Sequence, residues 1–160
     1  YTGNPEITLS SGVFINKDRF PISRAAREAD DAVETAKRSG RDAITVLSRS
    51  LPWTEWAFVR GEWRKLADSG EEVSSGFLYS LVQYAEMWGD YKRGNVLGLR
   101  FQPLLAYNIS RNLDKAKTPY THAWAETFIK PQPFSPTQQL AIDNLGLLAR
   151  LLIYGKEKDK

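Results

Sequence analysis

The side chains that could bind a phosphate group lie in the first third of the sequence. Lys37 precedes and Arg41 follows Gly40, and Ser10 lies in an earlier apolar segment. Lysine and arginine offer positive charge and several donors to phosphate oxygens, and a serine hydroxyl adds another donor. Each residue also has an ordinary explanation. Lys37 could be a solvated lysine at a helix C-terminus, Arg41 an exposed loop residue and Ser10 a small residue chosen for packing.

The composition excludes several other kinds of chemistry. The 160 residues contain no cysteine and one histidine, which excludes disulfides, thiolate metal sites, a cysteine nucleophile and a histidine-rich metal cluster. His122 has no serine, cysteine or aspartate at a recognisable catalytic spacing, so we predict a structural role for it. We therefore predict no catalytic residue and no metal ligand in this chain.

The charge balance and the apolar content indicate a globular chain. Lys+Arg 22 against Asp+Glu 19 gives a net charge of +3, compatible with contact to RNA or a nucleotide but not typical of a dedicated nucleic-acid binder. Hydrophobic residues make up 42%, enough for a core. No apolar run is long enough to cross a bilayer, so we expect no membrane contact and a cytoplasmic location. The opening residues lack a methionine, which suggests a piece of a longer chain.

The first fifty residues predict a strand, a helix and a second strand. Apolar residues alternate over residues 7–15, and both faces are apolar enough to predict a strand covered on two sides. Residues 22–39 carry an alanine-rich amphipathic stripe that Gly40 should end, and residues 43–47 form a short strand. Because two strands make too small a sheet to be stable alone, we expect residues upstream of Tyr1 to complete it.

A composition shift at residues 49–52 introduces a pattern that is helical to the end of the chain. Ser74 or Ser75 should cap one helix, Thr121 should begin a short one, and Ser135 with Gln138 predicts a capping box. The predicted helices lie near residues 54–67, 75–88, 102–113, 121–130 and 136–154, with a polar loop over residues 89–98. Residues 1–50 and 51–160 are thus predicted to be two domains.

Three of the five tryptophans, Trp53, Trp56 and Trp63, lie in one helical stretch. They could form a base-stacking platform, but this spacing favours core or interface anchors. The neighbouring Arg60, Arg64 and Lys65 could contact an RNA backbone, but solvation of the helix is the favoured explanation. Nucleic-acid binding by this stretch is therefore not the favoured interpretation.

Two segments resemble a known group of enzymes. Residues 29–44 read ADDAVETAKRSGRDAI, and residues 7–12 read ITLSSG. In this order they resemble the closing elements of GGDEF-type nucleotide cyclases, where T-x-S-x-G precedes A-D-x-A-x-x-x-A-K-x-x-G-R. FPISR at residues 20–24, SSGFLY at 74–79 and LLAYNISRN at 104–112 make the chain similar to the C-terminal part of the large subunit of type III-A (Csm) CRISPR effector complexes.

The resemblance implies a fold and an activity for the parent subunit. The fold would be α+β, with the strand-helix-strand edge of a ferredoxin-like palm domain followed by a mostly α-helical bundle. The palm would convert ATP into cyclic oligoadenylates on binding of target RNA, with divalent metals (Mg or Mn) held by a Gly-Gly-Asp-Asp hairpin. An HD domain would degrade single-stranded DNA. This chain has neither motif, so alone it should be inactive and without its own cofactor.

The resemblance also implies partners and roles for individual residues. Lys37 matches the phosphate-contacting lysine of the family, Arg41 could reach the same phosphates, and Ser10 could donate a hydrogen bond in the nucleotide pocket. The helical part would dock other subunits, especially the small helical ones, and lie near CRISPR RNA and target RNA. Two alternatives are a non-catalytic interaction module and a fragment of a stand-alone GGDEF-type dinucleotide cyclase.

Overall fold

The computed structural model describes residues 7–16, 19–130 and 133–158, without the side chains of 157 and 158. Within these ranges the chain is mostly helical with a small three-stranded sheet, which confirms the α+β class. Contacts divide it into two compact units, Tyr1–Phe58 and Val59–Lys160. The predicted domain boundary after residue 50 stays a prediction.

The first unit is built on a strand-helix-strand arrangement with an added hairpin. Strand β1 (Ser11–Val13), helix α1 (Ile22–Arg38) and strand β2 (Ala43–Val46) are followed by strand β3 (Arg49–Pro52). β1 and β2 are parallel, β2 and β3 are antiparallel, and the order in the sheet is β1-β2-β3. The predicted helix and second strand are therefore confirmed.

Close packing of α1 on β1 explains the glycine in the first strand. A Cβ atom at Gly12 would lie 2.5 Å from the backbone nitrogen of Val33 and 2.7 Å from the carbonyl oxygen of Ala29. The helix backbone therefore rests directly on the strand, at a separation that only a residue without a side chain permits. The alanines of α1 contribute to this approach, and Ala36 is fully buried.

The expectation of a strand covered on both faces over residues 7–15 is wrong in this structure. Only Ser11–Val13 form β1, and Ile7, Leu9 and Val13 are exposed. β1 is at the edge of the described sheet and forms a ladder with β2 alone. Residues before Ser11 therefore lack the ladder hydrogen bonds that would define a longer strand.

Strand β3 lies where the sequence indicated only a change of composition. Leu47 and Ser48 form the two-residue turn to β3, with φ of 49° and 64°. Such turns usually contain asparagine or glycine, so Leu-Ser carries no sequence signal for a hairpin. The Thr45 and Ser50 hydroxyls, 2.7 Å apart across the ladder, link the strands.

The later helices form a bundle around a buried core. Helix α2 (Trp53–Asp68) spans the division between the units and is followed by α3 (Ser75–Lys92), a 3-10 helix (Val96–Arg100) and α4 (Phe101–Asn112). Then come α5 (Pro119–Glu126), α6 (Pro136–Asp143) and α7 (Leu145–Lys158). α3 packs most extensively on α7, and the largest fully buried side chains of the core are those of Phe77, Phe101, Phe128, Leu78, Leu81, Leu105, Ile142, Leu145 and Leu148.

Two predicted caps are confirmed. The Ser74 hydroxyl accepts a hydrogen bond from the Phe77 backbone N–H at the start of α3. At the start of α6, the Ser135 hydroxyl accepts from the Gln138 backbone N–H, and the Ser135 backbone N–H donates to the Gln138 side chain. α5, by contrast, begins at Pro119 rather than at Thr121.

The predicted continuous helix over residues 136–154 is interrupted at Asn144. The Asn144 side chain donates to the carbonyl oxygen of Leu140, which in a regular α-helix would accept the Asn144 backbone N–H. That N–H instead donates to Ala141, three residues back. Because the side chain competes for a backbone acceptor, the helix breaks into α6 and α7.

The predicted polar loop over residues 89–98 is also wrong. α3 continues to Lys92, and Gly98 is buried within the 3-10 helix. A Cβ at Gly98 would lie 2.3 Å from the Met87 carbonyl oxygen, so the 3-10 helix packs its backbone against α3. The sequence shows polar residues and glycines here, but it does not show the close contact between the 3-10 helix and α3 that requires glycine at position 98.

We expect Gly12→Ala to destabilise the first unit by about 1–3 kcal/mol, because the added methyl group overlaps the α1 backbone. Urea unfolding followed by circular dichroism measures the effect. Gly61→Ala is the control, since a Cβ at Gly61 meets nothing within 4 Å; it should stabilise α2 by up to about 1 kcal/mol. Equal effects of the two substitutions would contradict the packing at Gly12.

We expect the ionised Asp143 carboxylate to stabilise the folded second unit at neutral pH and to lose this effect in acid. Trp88 Nε1 and Lys92 Nζ donate to its Oδ1 at 2.7 Å and 2.9 Å. Burial acts to raise the pKa of Asp143, but the hydrogen bonds from Trp88, Lys92 and Gln139 outweigh it, so that pKa lies below its ordinary value. A lowered folded-state pKa gives stability that is present above the ordinary aspartate pKa, about pH 4, and lost as pH falls through the lower folded value.

Asp143→Asn should therefore lower the free energy of unfolding by about 1–2 kcal/mol at pH 7, with the difference from wild type disappearing in strong acid. Urea unfolding between pH 2 and pH 7 tests this. Asp90→Asn removes the exposed pair with Arg93 and should cost less than about 0.5 kcal/mol. A difference that stays constant across the pH range would refute the role of the carboxylate charge.

Candidate phosphate-binding edge

The three predicted site residues lie toward one end of the small sheet. β1 and β2 are parallel and Ser11 is in register with Ile44, so Ser10 lies at the end where β2 begins. α1 ends at this same end, because it connects the far end of β1 to the start of β2. Lys37 is in the last turn of α1 and Arg41 is in the loop between α1 and β2. The topology thus places Ser10, Lys37 and Arg41 toward the same end of the sheet, where β1 and β2 begin; we call this end the phosphate-binding edge.

Lys37 forms an ion pair within its own helix. Its Nζ donates to Glu34 Oε1 at 2.7 Å, and the Lys37 side chain is 50% exposed. The hydrogen bond and the positive charge of Lys37 hold the pKa of Glu34 below its ordinary value. This is the geometry of a solvated lysine at a helix C-terminus, and the phosphate-binding role of Lys37 stays a prediction.

Arg41 belongs to a loop with an unusual backbone. Gly40, Arg41 and Asp42 have φ values of 109°, 60° and 44°, so three successive residues have positive φ. Gly40 adopts this conformation at little cost after the helix end, as predicted, but each non-glycine residue costs about 1–2 kcal/mol. The Arg41 side chain is exposed. The loop geometry, which the sequence did not signal beyond Gly40, therefore directs a cationic side chain into solvent.

Ser10 is half-buried, next to a hydrogen bond that joins two parts of the first unit. Trp53 Nε1 donates to the carbonyl oxygen of the neighbouring Leu9 at 2.8 Å. Trp53 thus acts as the anchor that its pattern favoured, although no sequence pattern indicated Leu9 as its partner. At Gly12, the close approach that the glycine permits is that of α1, which supports a packing role for this position.

An open depression of about 500 Å³ lies along α1 in the first unit. It is lined by Gly12, Ala26, Arg27, Ala29, Asp30 and Val33. None of the three predicted site residues contributes to its wall. Lys37 and Arg41 are exposed and Ser10 is half-buried, and none of the three lines this depression.

His122 and the acidic side chains were the other candidates for catalysis or metal binding. His122, 12% exposed, has its Nδ1 3.6 Å from Glu126 Oε2 one turn later in α5, which is consistent with a structural role. Among the residues that the structure describes, no group of three or more His, Asp or Glu side chains could hold a metal ion. No helix in the described ranges is long and apolar enough to span a membrane.

Three known proteins are similar to this chain, each described as the CRISPR system single-strand-specific deoxyribonuclease Cas10/Csm1 of subtype III-A. The protein of Thermococcus onnurineus strain NA1 is 30% identical over 105 residues, which cover 55% of this chain and 13% of the relative. That of Streptococcus thermophilus is 24% identical over 105 residues, with 61% and 14% covered. That of Mycobacterium tuberculosis strain H37Rv is 29% identical over 86 residues, with 49% and 11% covered.

The matched region is a small part of each relative, 11% to 14% of its length. No family model matches the chain. No solved structure is similar to it.

We expect Trp53→Phe to loosen β1, because the substitution removes the donor to the Leu9 carbonyl. Amide hydrogen exchange of Ser11–Val13 should accelerate about tenfold, the effect of losing one hydrogen bond of ordinary strength. Amides of α3 in the second unit are the internal control and should not change. Unaltered exchange in β1 would show that the indole hydrogen bond does not hold the strand.

Proposed function

We propose that this chain, which is related to the Cas10/Csm1 large subunit of subtype III-A CRISPR systems, forms the C-terminal portion of such a subunit. In this proposal the first unit is the edge of a palm domain that handles ATP, and the second unit is a helical docking domain. The observation that carries the proposal is the similarity to three relatives of one description.

The open edge of β1 is the feature of the first unit that fits a palm edge. β1–α1–β2 is a βαβ unit whose two strands are hydrogen-bonded neighbours, whereas the split βαβ of a ferredoxin-like fold has another strand between them. β1 has an edge free of ladder partners in the described sheet, where further strands could pair. Exposed Ile7 and Leu9 lie just before this strand and could be covered by such strands.

Phosphate binding is the chemistry that the exposed edge could supply. The ammonium of Lys37 is bound to a solvated carboxylate, and exposed pairs of this kind are weak enough to be exchanged for a phosphate. Arg41 offers a planar fork suited to phosphate oxygens, and Ser10 offers a hydroxyl. These groups fit the phosphates of ATP. They would bind and orient the nucleotide, while acid–base or nucleophilic steps would belong to other parts of the parent subunit.

Divalent metal (Mg or Mn) is implied for the parent reaction, where it would neutralise phosphate charge. The described residues offer no cluster of three ligands for it, so we assign no metal ligand to this chain. Cyclic oligoadenylate synthesis and cleavage of single-stranded DNA are likewise proposed for the complete subunit and not for these residues.

The surface of the second unit supports docking of partners. Val96, Leu97, Leu104 and Tyr107 are exposed on the 3-10 helix and α4, and Tyr107 accepts a hydrogen bond from the exposed Arg111 at 2.7 Å. Tyrosine and arginine are frequent energetic anchors of protein interfaces. Small helical subunits are the proposed partners, with CRISPR RNA and target RNA bound through the complex. A cytoplasmic location is part of the same proposal.

The test is ATP binding to the full-length subunit that contains this chain. We expect Lys37→Ala to weaken ATP binding about tenfold, since a charged hydrogen bond to phosphate contributes about 1.5–3 kcal/mol. Glu34→Gln should strengthen binding, because it releases the Lys37 ammonium from its ion pair. Isothermal titration at low salt measures both.

Arg38→Ala is the matched control, since Arg38 is the adjacent cation in the last turn of α1 and lies outside the recognised motif positions. Its effect should stay within about twofold. Equal losses with Lys37→Ala and Arg38→Ala would indicate general charge attraction. Unchanged affinity with Lys37→Ala would remove the phosphate role and favour the alternative of a non-catalytic interaction module.

A further inference from the structure

One aromatic ring lies at the phosphate-binding edge, and the proposed function does not use it. Pro52 at the end of β3 is in register with Ala43, the first residue of β2. Trp53 follows Pro52, so it lies toward the end of the sheet where β2 begins, which is also the end at which Ser10 lies. The strand register therefore adds an indole to the side chains of this edge.

Two hydrogen bonds hold Trp53 between the segments that carry Ser10 and Arg41. The indole Nε1 donates to the carbonyl oxygen of Leu9, the residue before Ser10, at 2.8 Å. The Trp53 backbone N–H donates to the carbonyl oxygen of Asp42, the residue after Arg41, at 3.4 Å. The indole therefore reaches from the end of β3 to the segment before β1, and its position is fixed relative to two of the predicted phosphate-binding residues.

The surroundings of Trp53 are open to solvent. Leu9 is 53% exposed, and Asp42, Pro52 and Thr54 are exposed as well. Trp53 itself is partly exposed, as is its hydrogen bond to Leu9. The indole N–H lies in the plane of the ring, so this bond occupies the edge of the ring and not its faces. Among the residues that the structure describes, no other aromatic ring and no cation lies against this indole. A flat group can therefore approach the ring from solvent.

The charges at this edge determine which part of a nucleotide suits the indole. Lys37 and Arg41 attract phosphate groups, whereas Asp42 places a negative charge next to Trp53 in the structure. A phosphate group at the indole would be repelled by Asp42, so the uncharged base fits this position better. Bases stack readily on aromatic side chains, because every base has a π-face.

We propose that Trp53 binds the adenine base of ATP by stacking, while the predicted phosphate-binding residues hold the phosphates. This inference rests on the proposed function, because it places the base of the same nucleotide. Stacking is compatible with the anchoring of Leu9, since the anchor uses the edge of the ring and the base uses a face. Trp53 is thus a binding residue for the base and not for the phosphates.

The test compares ATP with inorganic tripolyphosphate, which has no base, by isothermal titration of the full-length subunit at low salt. Trp53→Leu removes the aromatic ring and should weaken ATP binding about tenfold, an ordinary effect of losing one base stack, with tripolyphosphate affinity within about twofold of wild type. Trp53→Phe is the matched control, because it keeps a ring and loses only the indole donor. It should bind both ligands within about threefold of wild type.

Lys37→Ala in the same titrations separates the two proposals, and it should weaken the binding of both ligands. If Lys37→Ala changes neither affinity, the phosphate role is refuted, and this inference fails with it. If Lys37→Ala weakens both but Trp53→Leu leaves ATP binding unchanged, the stacking alone is refuted. Equal losses of ATP and tripolyphosphate affinity with Trp53→Leu would show that the ring only supports the fold of this edge, and would also overturn the inference.

Photolabelling of the full-length subunit with 8-azido-ATP locates the base directly. Trypsin cleaves after Arg49 and Arg60 and releases residues 50–60, which include Trp53, as one peptide. We expect the label on this peptide in the wild type, with competition by excess ATP, and its loss in Trp53→Leu. Labelling that is confined to other peptides would overturn the proposal.

Discussion

The direct contact of the α1 backbone with β1 at Gly12 is the constraint on which the first unit depends. Because no side chain lies between α1 and β1 at Gly12, this contact sets the distance between the helix and the sheet. It also sets the position of the C-terminal end of α1. Lys37 is in the last turn of α1, four residues before Arg41. The parallel pairing of β1 with β2 places Ser10 toward the same end of the sheet. A larger residue at position 12 would displace the helix, and with it the arrangement of all three side chains.

In the second unit, competition for hydrogen-bond partners shapes the fold. Asn144 takes the Leu140 carbonyl with its side chain and so divides one long apolar stretch into α6 and α7. Glu71 takes two backbone N–H groups at the start of α5 and so joins the segment before α3 to that helix. Trp88 Nε1 donates a hydrogen bond to Asp143, whereas the Nε1 atoms of Trp63 and Trp124 have no partner among the described residues. The unit therefore combines well-satisfied polar contacts with two buried indole donors that have no partner in the described part of the chain.

Comparison of the predicted and observed elements shows which patterns were informative. The alanine stripe of α1, the Ser74 cap and the Ser135 capping box are local features, and each predicted correctly where its helix begins. The Leu47-Ser48 turn, the buried Gly98 and the break at Asn144 were missed or misread because each depends on contacts with other segments. For the candidate edge, the sequence identified the cations and the serine. The Glu34 ion pair, the positive φ values of Arg41 and Asp42 and the Trp53 hydrogen bond became visible only in the fold.

By itself the sequence determined the helical periodicity, the caps, the absence of cysteine chemistry and a resemblance confirmed by three relatives. These properties reside in residue types and short spacings, which act through local backbone preferences and need no distant partner. Tertiary structure alone decided the short edge strand, the hairpin, and the position of Ser10, Lys37 and Arg41 toward one end of the sheet. Each of these depends on which distant backbone or ring fills the neighbouring space, and excluded volume and hydrogen-bond competition settle that only when the whole chain is packed.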